Sequence, residues 1–322
     1  MTMGISRIFR STDAGAPQFT QTAGTLKDVL KAVLVNGYGS TQSLGWTLEY
    51  EIGAISVFRS KGGTRTFLRI DDSATDPLYA KVSAFSTMSS INNGTERIPP
   101  VGIDAYLWKC TTNGNTPWYI IGDDAGFWLL HQPFYNVGGS LIKYIFHVTY
   151  FGDYNSYNVA NKWNYLFSPS NGIYTTSSGL IPRVASSPYY IGRGGDFAKG
   201  CVTCGALSMN PSATYFGQAI LSTRSLGENK LNGVYLGSPI RLYETISGVG
   251  NIIIGTMPGI LEPLCTSTAL TFVASDLIPV ETVDADGGLS IFLYGNYTSN
   301  STSKSTINKF ILKVGKGFRN VQ

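Results

Sequence analysis

The stretch Trp118-Tyr119-Ile120-Ile121-Gly122-Asp123-Asp124-Ala125-Gly126-Phe127-Trp128-Leu129-Leu130-His131 contains two short apolar and aromatic runs around a turn-forming centre. Each run is of strand length and rich in aromatic and β-branched residues. Asp and Gly between them favour a turn, Asp through side-chain bonds to nearby backbone and Gly through its freedom at positive φ. The pair therefore predicts strands over Trp118 to Gly122 and Gly126 to His131, joined as a hairpin. The same pattern extends outward. Strands are predicted at Thr47 to Tyr50, Ala54 to Arg59, Thr66 to Asp71, Ala80 to Phe85 and Ala105 to Cys110, with Ile142 to Phe151 closing the run. Lys61-Gly62-Gly63, Asn92-Asn93-Gly94 and Asn113-Gly114-Asn115 separate them as turns. Hairpin spacing of this kind makes antiparallel sheets, because parallel neighbours need long crossovers.

One segment breaks the pattern. From Leu26 to Val35 the apolar residues Leu26, Val29, Leu30, Val33 and Leu34 recur at i, i+3, i+4, i+7 and i+8, which is one face of a helix. Lys27, Asp28 and Lys31 take the other face. Thr25 is placed to cap the helix, Asp28 to meet its positive end, and Gly37 to stop it. The fold class predicted is mainly β, α+β at the N-terminus, with a sandwich or barrel-like antiparallel body carrying one amphipathic helix.

The 322 residues are 43% hydrophobic and 12% aromatic, enough to offset the entropy of ordering a chain, so a folded core is expected. Three regions are predicted: 1–152 as helix plus antiparallel sheet, 153–209 as a loop-rich Tyr/Ser insertion, and 210–322 as a second β-rich portion completing the first. In the last, strands are predicted at Tyr215 to Leu221, Gly233 to Tyr243, Asn251 to Ile254, Leu270 to Val273, Leu289 to Tyr294 and Asn308 to Val314. Pro239 and Pro258 mark edges or turns, since proline lacks the donor that a ladder needs.

Function classes narrow by elimination. Charged residues make up only 14%, with a net charge of +4 and no basic run to follow a phosphate backbone, so no nucleic-acid partner is expected. Lys309, Lys313, Lys316 and Arg319 read as a polar tail. No run approaches the roughly 18 apolar residues of a membrane span, so no membrane partner is expected. Met1 to Arg10 lacks an apolar signal core, which predicts synthesis and retention in a cytoplasm. Cys201 and Cys204 have C-x-x-C spacing without the further ligands that zinc requires, and Cys110 and Cys265 are isolated. His131 and His147 both lie inside apolar runs and read as structural. Asp71-Asp72 and Asp123-Asp124 are adjacent residues whose side chains diverge, so neither makes the facing acid pair of glycan cleavage. Asp284 and Asp286 lack the rest of a calcium loop. No catalytic, cofactor-binding or metal-binding residue is assigned, and the chain is not read as an enzyme. The candidate interaction surface is the aromatic set Tyr154, Tyr157, Trp163, Tyr165, Tyr174, Tyr189 and Tyr190, because rigid Tyr among small polar residues gives large contact area at low entropy cost.

Several stretches carry a family resemblance: Arg10-Ser11-Thr12-Asp13-Ala14-Gly15-Ala16-Pro17, Val35-Asn36-Gly37-Tyr38-Gly39-Ser40, Gly45-Trp46-Thr47 and Phe67-Leu68-Arg69-Ile70-Asp71-Asp72-Ser73. Tyr150-Phe151-Gly152-Asp153 and Ile254-Gly255-Thr256-Met257-Pro258-Gly259-Ile260 extend it. Together they resemble a family of tailed-bacteriophage virion structural proteins. The resemblance implies a particle component made in the host cytoplasm, associated with tail or baseplate, homo-oligomeric and in contact with other virion proteins. Receptor binding or capsid decoration by the 153–209 region is the alternative, with glycan hydrolysis behind it.

Overall fold

The computed structural model describes residues 6–73, 79–98, 105–109, 114–131, 135–137, 140–142 and 147–157, a series of strands between residues 164 and 314, and Phe318. The predicted strands at Tyr215 to Leu221 and Leu270 to Val273 lie outside the described residues, as do Cys110, Trp163, Cys204, Cys265, Asp284 and Asp286.

Strand β1 (Arg7–Arg10) precedes helix α1 (Thr25–Lys31), which continues as a π-helical turn over Ala32–Asn36. All five residues of the predicted stripe are fully buried. The cap differs from the expectation. Gly24 at φ 85° is the N-cap, with no side-chain cap of its own. The Asp72 carboxylate fills that role from far along the chain, Oδ2 accepting from the N–H of Leu26 at 2.9 Å and of Lys27 at 3.4 Å. The Thr25 hydroxyl instead donates to the carbonyls of Thr20 and Thr22, tying down the incoming loop.

A five-stranded antiparallel sheet follows. Its members are β2 (Thr47–Ile52), β3 (Ile55–Arg59), β4 (Phe67–Asp71) and β5 (Tyr79–Phe85), then, after a small hairpin of β6 (Thr87–Ser90) and β7 (Asn93–Thr95), β8 (Ala105–Trp108). Helix and sheet are joined on the surface by Glu51 of β2, which takes Lys27 at 3.1 Å and Lys31 at 2.6 Å. The hydrogen bond from Lys31, with help from Lys27, holds the Glu51 carboxyl below its ordinary value. A depressed folded value means that the contribution is present above the ordinary carboxylate range and is lost as pH falls through the folded value. Glu51→Gln should therefore cost about 0.3–1 kcal/mol at neutral pH, as for other part-exposed pairs. Urea titrations should find that difference gone in acid.

The second sheet is larger. It takes β9 (Trp118–Gly122) and β10 (Gly126–His131), whose bounds are those predicted. A hairpin of β11 (Tyr135–Val137) and β12 (Ser140–Ile142) comes before β13 (His147–Asp153), and short β14 (Asn155–Ser156) before β15 (Asn164–Ser168). A further hairpin, β16 (Ile173–Thr176) and β17 (Gly179–Pro182), leads to β18 (Tyr189–Arg193) and β19 (Asp196–Cys201). The order is β1-β9-β10-β13-β15-β18-β19, antiparallel throughout. Residue 152 lies inside β13, and the 153–209 region, read as loops, supplies three strands of this sheet. They form because β13 offers a free ladder edge, which pays little regard to Ser and Gly content.

A third sheet joins β14 to β20 (Gly237–Ile246), β21 (Gly250–Pro263), β22 (Ile278–Val280), β23 (Leu289–Gly295) and β24 (Asn308–Val314). Pro258 lies within β21, not at a strand edge. The register against β20 jumps from Arg241↔Thr256 to Pro239↔Leu261, so Met257-Pro258-Gly259 bulges out of the ladder, where a missing N–H costs nothing. Among the described residues the sheets are open and none closes into a barrel. No helix among the described residues is long and apolar enough to cross a membrane.

One core unites the first two sheets and the helix. Phe58, Leu68, Ile70, Val82 and Leu107 meet the α1 stripe and, from the seven-stranded sheet, Phe9, Trp118, Ile120, Phe127, Leu129 and Phe151. The alternate residues Ile121, Trp128, Leu130 and Tyr150 face the other way and are buried too. The Trp128 indole N–H donates to the Pro258 carbonyl at 2.8 Å, beside fully buried Met257. Burial on both faces explains why β10 shows no polar alternation.

Candidate interaction surface

The two N-terminal sheets are clasped at one end by main-chain bonds. The N–H groups of Lys61 and Gly62 donate to the Asp124 carbonyl at 3.0 and 2.9 Å. Thr64 gives both its N–H and its hydroxyl to the Asp153 carboxylate, each at 2.6 Å. Between them Gly63 adopts φ 62°, and a Cβ there would collide with that carboxylate, so the turn requires glycine. Trp46 closes the clasp, its indole N–H donating to the Asp123 carbonyl at 3.1 Å.

Past this clasp the predicted aromatic surface divides. Tyr154 is only 3% exposed. Its ring lies against Gly255 of β21, while its neighbours Asn155 and Ser156 pair with Thr256 and Gly255. It anchors the third sheet and is not surface. The period of two in β13, carried one residue past its end, contains the missing signal, since it puts Tyr154 in step with Tyr150 and Gly152. Tyr157, three residues later, is 58% exposed. Tyr165 and Tyr190 enter the seven-stranded sheet on adjacent strands, Tyr165 opposite Gly192 and Tyr190 opposite Phe167. Tyr189 pairs with Cys201 at the sheet's last ladder, and Tyr174 lies apart in the β16–β17 hairpin, opposite Ile181.

A second aromatic surface, absent from the sequence reading, lies on the outer face of the five-stranded sheet. Ile52, 65% exposed, tops the β2–β3 hairpin. The Arg59 guanidinium sits 4.8 Å from the Phe67 ring centroid, and the Tyr79 and Tyr106 rings meet edge-on at 4.7 Å. Val57, Phe67, Phe85 and Ile91 form a small cluster beneath, with Tyr50, Ile55 and Met88 partly exposed around it. Half-exposed Tyr and Arg over an apolar floor are the side chains that contribute most at protein interfaces. The pattern was concealed because these residues come from different strands and meet only through register.

Asp123, Asp71, Asp72 and His131 are each held by contacts within the fold. Asp123 Oδ1 accepts the N–H groups of Ala125 and Gly126 at 2.9 Å each, the turn-capping role expected of it. Asp71 turns outward to Arg69 and Ser73 while Asp72 turns inward, so the two diverge as predicted. His131 is buried with its ring 5.4 Å from that of Phe19, and the ladder sets it directly opposite His147. Among the described residues no group of three or more His, Cys, Asp or Glu could hold a metal ion. A scan of protein-family models and a search of curated proteins find no match to this chain.

Proposed function

We propose that the chain is a structural subunit of a bacteriophage virion, placed in the tail or baseplate, that scaffolds neighbouring subunits through protein–protein contacts. The observation that carries this reading is where the resembling stretches fall in the fold. They are scattered between residues 10 and 260, yet each supplies an interlock. Asp13 accepts from the Tyr38 hydroxyl at 2.9 Å, Asp72 caps α1, Asp153 holds Thr64, and Pro258 receives Trp128. Stretches that share such roles specify a framework, and a framework suits a part whose work is mechanical. Contact with neighbours falls to the aromatic and guanidinium groups outside it, around Ile52, Tyr106 and Tyr157, on a chain poor in charge.

Quantitative mass spectrometry of purified infectious particles tests the proposal. The chain is expected in a fixed stoichiometric ratio to the tail proteins, and to stay with tails when these are separated from heads. Particles that infect normally and contain none of it would overturn the reading.

A further inference from the structure

Among the described residues one charged pair is fully buried. Lys109 and Asp72 have side chains 0% and 1% exposed, with Nζ 2.6 Å from Oδ1. Thr22 contributes its carbonyl, which accepts from the same ammonium at 2.5 Å. The other carboxylate oxygen, Oδ2, accepts the N–H groups of Leu26 and Lys27. An amine and a carboxyl are thus pressed together without bulk water, with one carboxyl oxygen held by backbone donors and the other beside the amine.

We propose that Lys109 and Asp72 condense to an intramolecular amide, a covalent cross-link between the ends of β8 and β4. A proton first passes from Nζ to Oδ1, giving neutral amine and neutral acid. The Nζ lone pair then attacks Cγ, and the carbonyl electrons move onto Oδ2. The Leu26 and Lys27 N–H groups already point at Oδ2 and hold the negative charge that develops there, as an oxyanion hole does. Collapse restores the carbonyl at Oδ2 and breaks the Cγ–Oδ1 bond. Oδ1 leaves as water with two of the three protons that Nζ carried. The third remains as the amide N–H, which the Thr22 carbonyl is placed to accept. Atoms and charge balance without any further reagent: ammonium plus carboxylate gives amide plus one water.

Two circumstances favour this over a lasting ion pair. Burial pushes the Asp72 carboxyl above its ordinary value, although Lys109 and the two N–H groups pull the other way, so the neutral form that can be attacked is accessible. Fixing both reactants in one rigid site also supplies the effective concentration that condensation in water lacks. The amide then removes two charges from a place where charges are costly.

Intact mass spectrometry of the purified, folded full-length chain, denatured just before measurement, reads the result directly. The wild-type chain is expected to be lighter than its sequence mass by one water. Trypsin should leave the bond after Lys109 uncut and release a branched species joining the peptides that contain Asp72 and Lys109. Lys109→Arg, which keeps the charge but cannot form the amide, should return to its full sequence mass. The branched peptide is decisive even if that variant fails to fold. Folded wild-type chain at full mass and cut normally after Lys109 would overturn the proposal. So would a water loss that persists in Lys109→Arg and reverses in mild base, the behaviour of an aspartyl succinimide.

Discussion

Trp128→Ala is expected to remove about 3–5 kcal/mol of unfolding free energy, as for other buried tryptophans cut back to a methyl group. Three losses combine at this position. The indole is fully buried and its removal leaves a void in a face already packed. The ring stands 4.8 Å from Tyr150, an aromatic contact that goes with it. The Pro258 carbonyl loses its donor while still shielded from water. Trp128→Phe keeps much of the apolar volume and gives up the hydrogen bond, so it should recover more than half of the loss. Urea denaturation supplies the energies. Limited proteolysis supplies the location, since β21 should be cut sooner in Trp128→Ala than in the wild type. A cost below about 1 kcal/mol would mean that this indole is not packed as described.

Asp72→Ala is the second large effect, and its comparison with Lys109→Met is sharper than either alone. Both variants forgo the proposed amide, so that loss is common to them; removing the carboxylate also takes the counter-charge from a buried ammonium and the acceptor from two helix N–H groups, for an expected cost of about 3–5 kcal/mol. Removing the amine leaves a carboxyl that keeps both N–H donors and can shed its charge by taking a proton, so Lys109→Met should cost less. Its pH dependence follows. Before any amide forms, the folded value of the Asp72 carboxyl lies above its ordinary one even beside Lys109. An acid with a raised folded value contributes stability that is full below its unfolded value and lost as pH rises through the folded value. Lys109→Met should therefore be more stable near pH 4 than near pH 7, relative to Asp72→Ala measured alongside. Equal costs for the two variants at neutral pH would contradict the asymmetry.

The local parts of this architecture were readable in advance, and the distant ones were not. The α1 stripe and the bounds of β9 and β10 follow from periodicity over a few residues, and period is a property of the chain itself. The cap on α1 was assigned to Thr25 because capping signals are sought nearby. The group that caps is 46 residues away, brought in by β4. The strands between Asn164 and Cys201 were missed for a related reason. Their pairing depends on the edge that β13 presents, and Tyr, Ser and Gly in such a ladder look no different from loop. The same limit applies to the candidate surface. Tyr154 reads as exposed in the sequence and is covered by Gly255 in the fold, while register brings Arg59 to Phe67 at one end of the five-stranded sheet and Tyr79 to Tyr106 at the other.

The position of β1 has a consequence for how the chain is made. Among the described residues Arg7–Arg10 pairs with Trp118–Gly122 alone, and Phe9 is buried in the core there. During synthesis at about 5–20 residues per second, the first strand leaves the ribosome roughly 5–20 s before its partner. In the interval β2 to β5 can close as local hairpins, because short loops form fastest. The edge that comes first in translation is thus completed late in folding. Until Gly122 emerges, Phe9 and the open ladder beside it are what a chaperone meets, or another nascent chain on the same message.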